Sequence, residues 1–391
     1  MILTWQMMSR KMENRTLSMK GRIRKMGFKK LTAMLLAGTM TLGLLAGCNS
    51  GGTGSGSTGS GNTGGSSSGS TSSTGSMQGK RVRVVIGSTS TGGDSYMVAE
   101  VVTRYLSQEM GFNGAVDAVG NAAALDALVK AKPDGTTIMM FHDMIFLSEL
   151  FGAVGQEYAL ENLTIGPRIG QNPGACFAAN AAAPYDSLAG AAEWLADNPD
   201  QMITVNIESG SASHLAFVVF WMWAQEEYGD EVTGRLKAVV GGTTDEKKQR
   251  LWDGNCDIIF GDYSSFVEFT KEGVDAQLSM KIIDPLDTIE GVDIPTMAEN
   301  GVTFNGAPFI FSKDFAMYFP AGMDEALLAE FEAAMQRVAA NPNFQAEMAA
   351  LKYKTLSEDE TQVDNATAFL YEKRETAREI ISVAPSLDDL T

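Results

Sequence analysis

From Lys80 onward the sequence predicts an α/β protein built as two doubly wound lobes with a ligand cleft between them. Three observations carry that expectation. Short β-branched or apolar runs alternate with segments of helical periodicity, the pattern of βα units and largely parallel sheets covered by helices. Small Gly, Ser and Thr loops follow several of the strand candidates. About 310 residues also exceed one comfortable hydrophobic core, so the chain should divide into two lobes.

Arg81 to Ile86 alternates basic and β-branched residues and reads as the first strand. A Gly-Ser-Thr loop follows, then a helix in which Val98, Val101, Val102, Tyr105 and Leu106 recur at helical spacing. A strand over 115–119, a helix over 121–131 and a strand over 136–141 come next. Segments 163–170 and 173–179 read as strands, and a helix over 187–197 stops before Asn198-Pro199. The pattern then gives strand 202–207, helix 213–228, strand 236–240, helix 244–253, strand 256–260, helix 263–272 and strand 279–283. One apolar strand over 308–318 and helices near 323–340, 343–351 and 359–382 complete the chain. This places lobe 1 at 80–180 with 308–391 and lobe 2 at 181–307, with hinges near Asn180–Pro184 and Ala307–Phe311. Ligands of open α/β sheets sit beyond the C-terminal strand ends, so the cleft is the expected site.

The front of the chain has a different character. Lys29 and Lys30 precede an apolar run from Leu31 to Ala46, which ends in Leu45-Ala46-Gly47-Cys48. Sixteen apolar residues are short for a bilayer of roughly 30 Å, and no stop-transfer pattern follows, so residues 1–47 read as a secretory signal with Met26 as its expected start. Residues 50–76 are Ser, Gly and Thr with one Asn, a composition that behaves as random coil with a reach of roughly 30 Å. Residues 48–79 thus form a tether, and a tether has a use only if its start is anchored. The other reading is a plain signal peptide with Cys48 incidental.

The chain carries a formal charge of −18. Residues 1–47 hold nine basic groups and one acid, so the remainder is at −26. A body that acidic presents no basic patch for nucleic acid or an anionic membrane surface. Its catalytic inventory is thin. The two histidines, His142 and His214, exclude a His-rich metal site, and neither a Gly-x-Ser-x-Gly elbow nor a phosphate-binding P-loop is present. We expect no catalytic residues, no metal and no cofactor. Cys176 and Cys256 lie in strand-like apolar stretches. The reading favours buried free thiols, with a disulfide between them left open.

Four small polar loops are more informative. Gly87-Ser88-Thr89-Ser90-Thr91-Gly92-Gly93, Ser209-Gly210-Ser211-Ala212-Ser213, Gly241-Gly242-Thr243-Thr244 and Gly261-Asp262-Tyr263-Ser264 each follow a strand and precede a helix. Unpaired N–H groups and hydroxyls at helix N-termini suit a carboxylate or phosphate oxygen. Each loop taken singly is also what any βα turn looks like. Four of them in a body without a catalytic kit favour anion binding.

With those segments in place, the stretch from Arg81 to Leu351 resembles the solute-binding proteins of tripartite tricarboxylate transporters, the TctC or Bug family. The resemblance runs through Thr91-Gly92-Gly93, Lys132-Pro133-Asp134-Gly135-Thr136-Thr137 and Gly210-Ser211-Ala212-Ser213-His214-Leu215-Ala216. It continues through Gly241-Gly242 with Trp252-Asp253-Gly254-Asn255-Cys256-Asp257, then Asp293-Ile294-Pro295-Thr296-Met297-Ala298-Glu299 and Pro320-Ala321-Gly322. Leu45-Ala46-Gly47-Cys48 likewise resembles the lipobox of bacterial lipoproteins, in which the cysteine is diacylated. These resemblances imply a lipid-anchored, extracytoplasmic protein with the Venus-flytrap fold of periplasmic binding proteins, closing on a small organic carboxylate and delivering it to membrane permease subunits. The implied ligand contacts are Ser88, Thr89, Gly92, Gly93, Ser211 and Ser213, and more loosely Gly242, Thr243 and Asp262. The chain departs from the family in two places. Asp94 directly follows Gly93, with Tyr96 at the usual Asp position, and Val239-Val240 replaces a Tyr-Lys pair. The missing lysine weakens the case for a polyanion such as citrate.

His214, in the first turn of its helix, is expected to fix the preceding loop, with direct ligand contact as the second reading. Phe217, Trp221 and Trp223 read as core. The nearest alternative function is a receptor of the same architecture for an amino acid or aromatic acid, serving another transporter or a sensor. A secreted hydrolase would need Ser211 or Ser213 paired with His214, and neighbours at a helix start rarely hold that geometry.

Overall fold

The computed structural model describes residues 75–391, and the expected signal segment, Cys48 and the tether up to residue 74 lie outside the described residues. The first surprise comes at the start. Met77, expected within the tether, is fully buried beside Gly135 and Phe331, and the Ser76 hydroxyl donates to Glu330 Oε2 at 2.6 Å. The folded body therefore begins before Lys80. Met77→Ala should cost about 2–5 kcal/mol, the range for truncating a buried methionine, read as a lower urea midpoint with unchanged slope.

The first lobe opens with β1 (Arg81–Ile86), whose Val82 and Val84 face the core while Arg81 and Arg83 stay exposed. Helix α1 (Asp94–Met110) buries Val98, Val102 and Leu106 at i, i+4 and i+8, and ends at Gly111, whose N–H returns to Ser107 O. Then follow β2 (Asn113–Ala118), α2 (Asn121–Val129), β3 (Thr137–Phe141), α3 (Met144–Leu150) and β4 (Leu163–Asn172). The second lobe holds β5 (Ala175–Asn180), α4 (Leu188–Asp197), β6 (Ile203–Ile207), α5 (Ala212–Tyr228), α6 (Asp230–Thr233), β7 (Leu236–Val240), α7 (Thr244–Trp252), β8 (Ile258–Asp262), α8 (Tyr263–Phe266), β9 (Met280–Pro285) and the small hairpin β10 (Thr303–Phe304) with β11 (Ala307–Pro308). The chain returns through β12 (Lys313–Pro320), α9 (Glu325–Ala339), α10 (Pro342–Ala350), α11 (Glu358–Thr361), α12 (Val363–Val383) and α13 (Leu387–Leu390).

Two five-stranded sheets result, ordered β2-β1-β3-β12-β4 and β7-β6-β8-β5-β9. In each, four strands share one direction and a single strand, β12 or β5, runs antiparallel to both its neighbours. The sheets are thus mixed by one reversed strand each. The reason lies in the connections: β12 and β5 each arrive from the other lobe, so each starts at the edge where the parallel strands finish and must run back.

That arrangement moves the lobe boundary. The fully apolar run Ala175–Ala179 pairs with β8 and β9, so the first crossing falls at Pro173-Gly174 and not at Asn180–Pro184. A strand buried on both faces reads the same in either sheet, and only its partners choose. The second crossing follows Phe311, whose N–H bonds Leu286 O at 3.0 Å, and leads into β12 at Lys313, five residues later than the expected strand start. The C-terminus does not stay with the first lobe. Helix α13 packs on β7, and Lys237 Nζ donates to Thr391 O at 3.0 Å. The expected helix 263–272 is one α turn followed by a 3₁₀ turn at Val267–Thr270.

Helix α5 is apolar on every side over Leu215–Phe220, all fully buried. A helix of that kind is enclosed rather than amphipathic. It packs on its own sheet and against α3 and α12 of the first lobe, and so forms much of the seam between lobes. Phe217 is core as expected, and Trp221 and Trp223 are partly buried against that core.

Candidate functional site

The C-terminal ends of β1, β3, β6, β7 and β8 converge on a cavity of about 340 Å³ between the two lobes. Gly87 begins the loop after β1 because a side chain there would strike the Phe141 ring at 2.4 Å. The chain can then turn Ser88, Thr89 and Ser90 along the cavity wall and bring Gly93 and Ser95 to the first turn of α1. From the second lobe, Ser211 caps α5 by accepting from Ser213 N at 3.1 Å, and its own hydroxyl donates to Glu208 O at 2.9 Å. Gly241 and Gly242, at φ of 87° and 103°, carry the chain into Thr243. Thr243 heads α7 in a capping box, its N–H donating to Glu246 Oε2 at 2.6 Å. Arg250 Nη1 holds this loop by donating to Gly241 O at 2.8 Å.

Seven of the nine expected ligand contacts line this cavity: Ser88, Thr89, Gly93, Ser211, Gly242, Thr243 and Asp262. Gly92 and Ser213 do not. The Ser213 hydroxyl is turned inward, accepting from Glu208 N at 2.8 Å and lying 2.7 Å from Ser211 Oγ. It orders the loop instead of facing the cavity.

The floor is ionic. Lys313, the first residue of β12, places its ammonium 2.8 Å from Asp94 of the first lobe and 2.5 Å from Asp262 of the second. Asn172 donates to Asp262 Oδ1 at 2.7 Å, and the Tyr353 hydroxyl donates to Asp94 Oδ2 at 2.5 Å. Burial opposes ionisation of Asp94, but the Lys313 charge and the converging donors outweigh it and hold that carboxyl well below the usual range. Asp262 is pushed up to about 7 by burial and by the adjacent Asp94 charge. Burial lowers Lys313, yet its two carboxylates win and raise it.

His142 is a cavity residue that the sequence reading missed. Its position directly after β3, at the C-terminal strand edge, was the available signal. Burial, then the Lys313 charge, lowers it to about 3, so it is neutral. Its Nδ1 accepts from Met144 N at 3.3 Å, which places the remaining proton on Nε2.

His214 takes the loop-fixing role. Its Nδ1 accepts from Gly210 N at 3.3 Å, its ring stacks on Phe151 of the first lobe at 3.8 Å, and it does not line the cavity. Neither Ser211 nor Ser213 is hydrogen-bonded to it, so the serine–histidine pair a hydrolase would need is not assembled. Burial lowers His214 to about 4. The unfolded chain therefore binds more protons between about pH 4 and 6.5, and stability present above 6.5 is lost as pH falls through that window. His214→Phe should remove up to about 3 kcal/mol of this acid sensitivity, seen by urea unfolding at pH 7 and pH 4.5.

Cys176 and Cys256 are free and buried. Among the described residues no group of three or more His, Cys, Asp or Glu is placed to hold a metal ion, and no helix is long and apolar enough to cross a membrane.

Two α/β lobes joined by crossing strands, with a polar cavity at their facing strand ends, make the fold of the periplasmic solute-binding proteins. Solved structures of that class share it. MatC of Rhodopseudomonas palustris with bound malate superposes at a TM-score of 0.64 and 17% identity, covering 77% of this chain and 99% of its own. The R. palustris protein Rpa4515 with adipate gives 0.63 at 15% identity, over 78% and 98%. The periplasmic binding protein BugD gives 0.61 at 18% identity, over 78% and 97%. No protein-family model matches the chain, and no curated protein does.

Proposed function

We propose that this protein is an extracytoplasmic solute-binding protein that closes on a small carboxylate and presents it to a membrane permease of the tripartite tricarboxylate type. The observation that carries the reading is the interlobe cavity, whose lining brings together Ser88, Ser90 and Ser211 with Gly93 and Ser95 at the N-terminal turn of α1. A 17-residue helix offers its unpaired N–H groups and the positive end of its dipole to an anion there. The malate and adipate held by MatC and Rpa4515 support the ligand class. Closure of the lobes would exclude water and leave neutral dipoles to hold the carboxylate, with preorganisation supplying affinity. Cys48 would carry the lipid that tethers the protein to the outer face of the membrane through the Ser/Gly segment.

A thermal-shift panel of mono-, di- and tricarboxylates, amino acids and sugars tests the ligand class. A ligand at 100 times its Kd adds about 2.7 kcal/mol to the folded state, a shift of several degrees. A response to sugars alone would overturn the carboxylate reading. Cys48→Ser should move the protein from the membrane fraction to the soluble fraction, and an unchanged distribution would refute the anchor.

A further inference from the structure

The charges facing the cavity do not suit a ligand with two or three carboxylates. Four acidic side chains line it, Asp94, Glu208, Glu246 and Asp262, against the ammoniums of Lys247 and Lys313. Both ammoniums are already committed to the protein. Lys313 lies between Asp94 and Asp262, and Lys247, itself buried, bonds Glu208 Oε1 and the Phe260 carbonyl. Arg250 of α7 lies beside Gly242 but does not line the cavity, and its Nη1 is bonded to Gly241 O and Asn206 Oδ1. The donors that remain on the first-lobe side of the cavity are neutral: the hydroxyls of Ser88, Thr89 and Ser90, His142, and the first turn of α1.

Neutral donors gathered at one helix end can hold one carboxylate. A second carboxylate on a small ligand would meet Glu208, Glu246 or Asp262, and among the described residues that line the cavity both cations, Lys247 and Lys313, are already paired. Like charges a few ångström apart repel, and the more so as lobe closure excludes water. Two of these acids are open to a ligand: Glu246 is exposed but accepts at Oε2 from Thr243 N in the cap of α7, and Glu208 has a side chain 41% exposed with only Oε1 used by Lys247.

We propose that the ligand is a zwitterion, with one carboxylate held by the neutral donors of the first-lobe loop and a cationic nitrogen set against Glu208 on the second lobe. This rests on the carboxylate-binding function proposed above and narrows it to amino-acid-like solutes. The attraction between lobe-specific halves of one ligand would also draw the lobes together, a task a simple anion could not perform against an acidic second lobe.

Isothermal titration of the purified protein decides the matter. The probes are the twenty amino acids, 4-aminobutyrate and glycine betaine. Each is compared with the monocarboxylate in which hydrogen replaces the nitrogen and the dicarboxylate in which a carboxylate replaces it. The best zwitterion is expected to bind at least tenfold more tightly than both counterparts. Glu208→Gln should weaken that zwitterion at least tenfold and, by uncovering Lys247, tighten the dicarboxylate. Should malate, adipate or another dicarboxylate bind as well as or better than every zwitterion, this inference fails while carboxylate binding stands. If no carboxylate-bearing probe binds, the proposed function falls and this inference with it.

Discussion

Lys313→Met is expected to be the most damaging single substitution in the cleft. Its ammonium is the only cation within reach of both Asp94 and Asp262 among the described residues, and all three side chains are buried. Removing one partner from a buried ionic group leaves uncompensated charge and costs about 3–5 kcal/mol. The loss should appear in urea unfolding at pH 7 and shrink at pH 5, where Asp262, raised to about 7, is protonated and no longer repels Asp94. Combining Lys313→Met with Asp262→Asn should recover part of the loss, because one of the two stranded carboxylates is gone. A single-mutant cost below about 1 kcal/mol would show that the triad does not hold the lobes at their base.

Gly210→Ala is expected to strike binding harder than folding. Gly210 lies in the loop before α5 at a φ of 70°, where an alanine costs about 1–2 kcal/mol. The added Cβ would also stand 2.8 Å from Ser148 Cα on α3 of the first lobe. That neighbour is backbone and cannot rotate away, so the lobes must separate to accept it. Ligand affinity should fall tenfold or more, and small-angle scattering with ligand present should report a larger radius of gyration than the wild type. Unchanged affinity would mean that this contact plays no part in closure.

Much of this protein was legible in its residues. The alternation of apolar runs and helical stripes placed β1, β7 and the long helices α5 and α9 close to their observed bounds, because local periodicity records which face is buried. The four glycine- and serine-rich loops lead into the cavity for the same kind of reason: a turn at the C-terminal end of a strand must fall at that edge of the sheet. His142 escaped because its loop has no glycine or serine signature, only a position. Gly92 and Ser213 were expected at the ligand because motifs name residues without orienting them, and in Ser213 the hydroxyl turns back to bond its own loop.

Other features had no local cause. Nothing in Ala175–Asn180 says which sheet it joins, and the chain could not show that β12 and β5 would reverse direction on arrival from the other lobe. The meeting of Asp94, Lys313 and Asp262 spans 219 residues of sequence between its first two members. With 48 acidic residues in the chain, no pattern could single out that pair of carboxylates. The sequence by itself determined the α/β class, the loops that lead into the cavity and the acidic surplus, since these depend on periodicity and composition along the chain. Only the tertiary structure decided where the lobes divide and which charges neutralise one another, because strand partners and ion pairs are chosen by distances that folding alone creates.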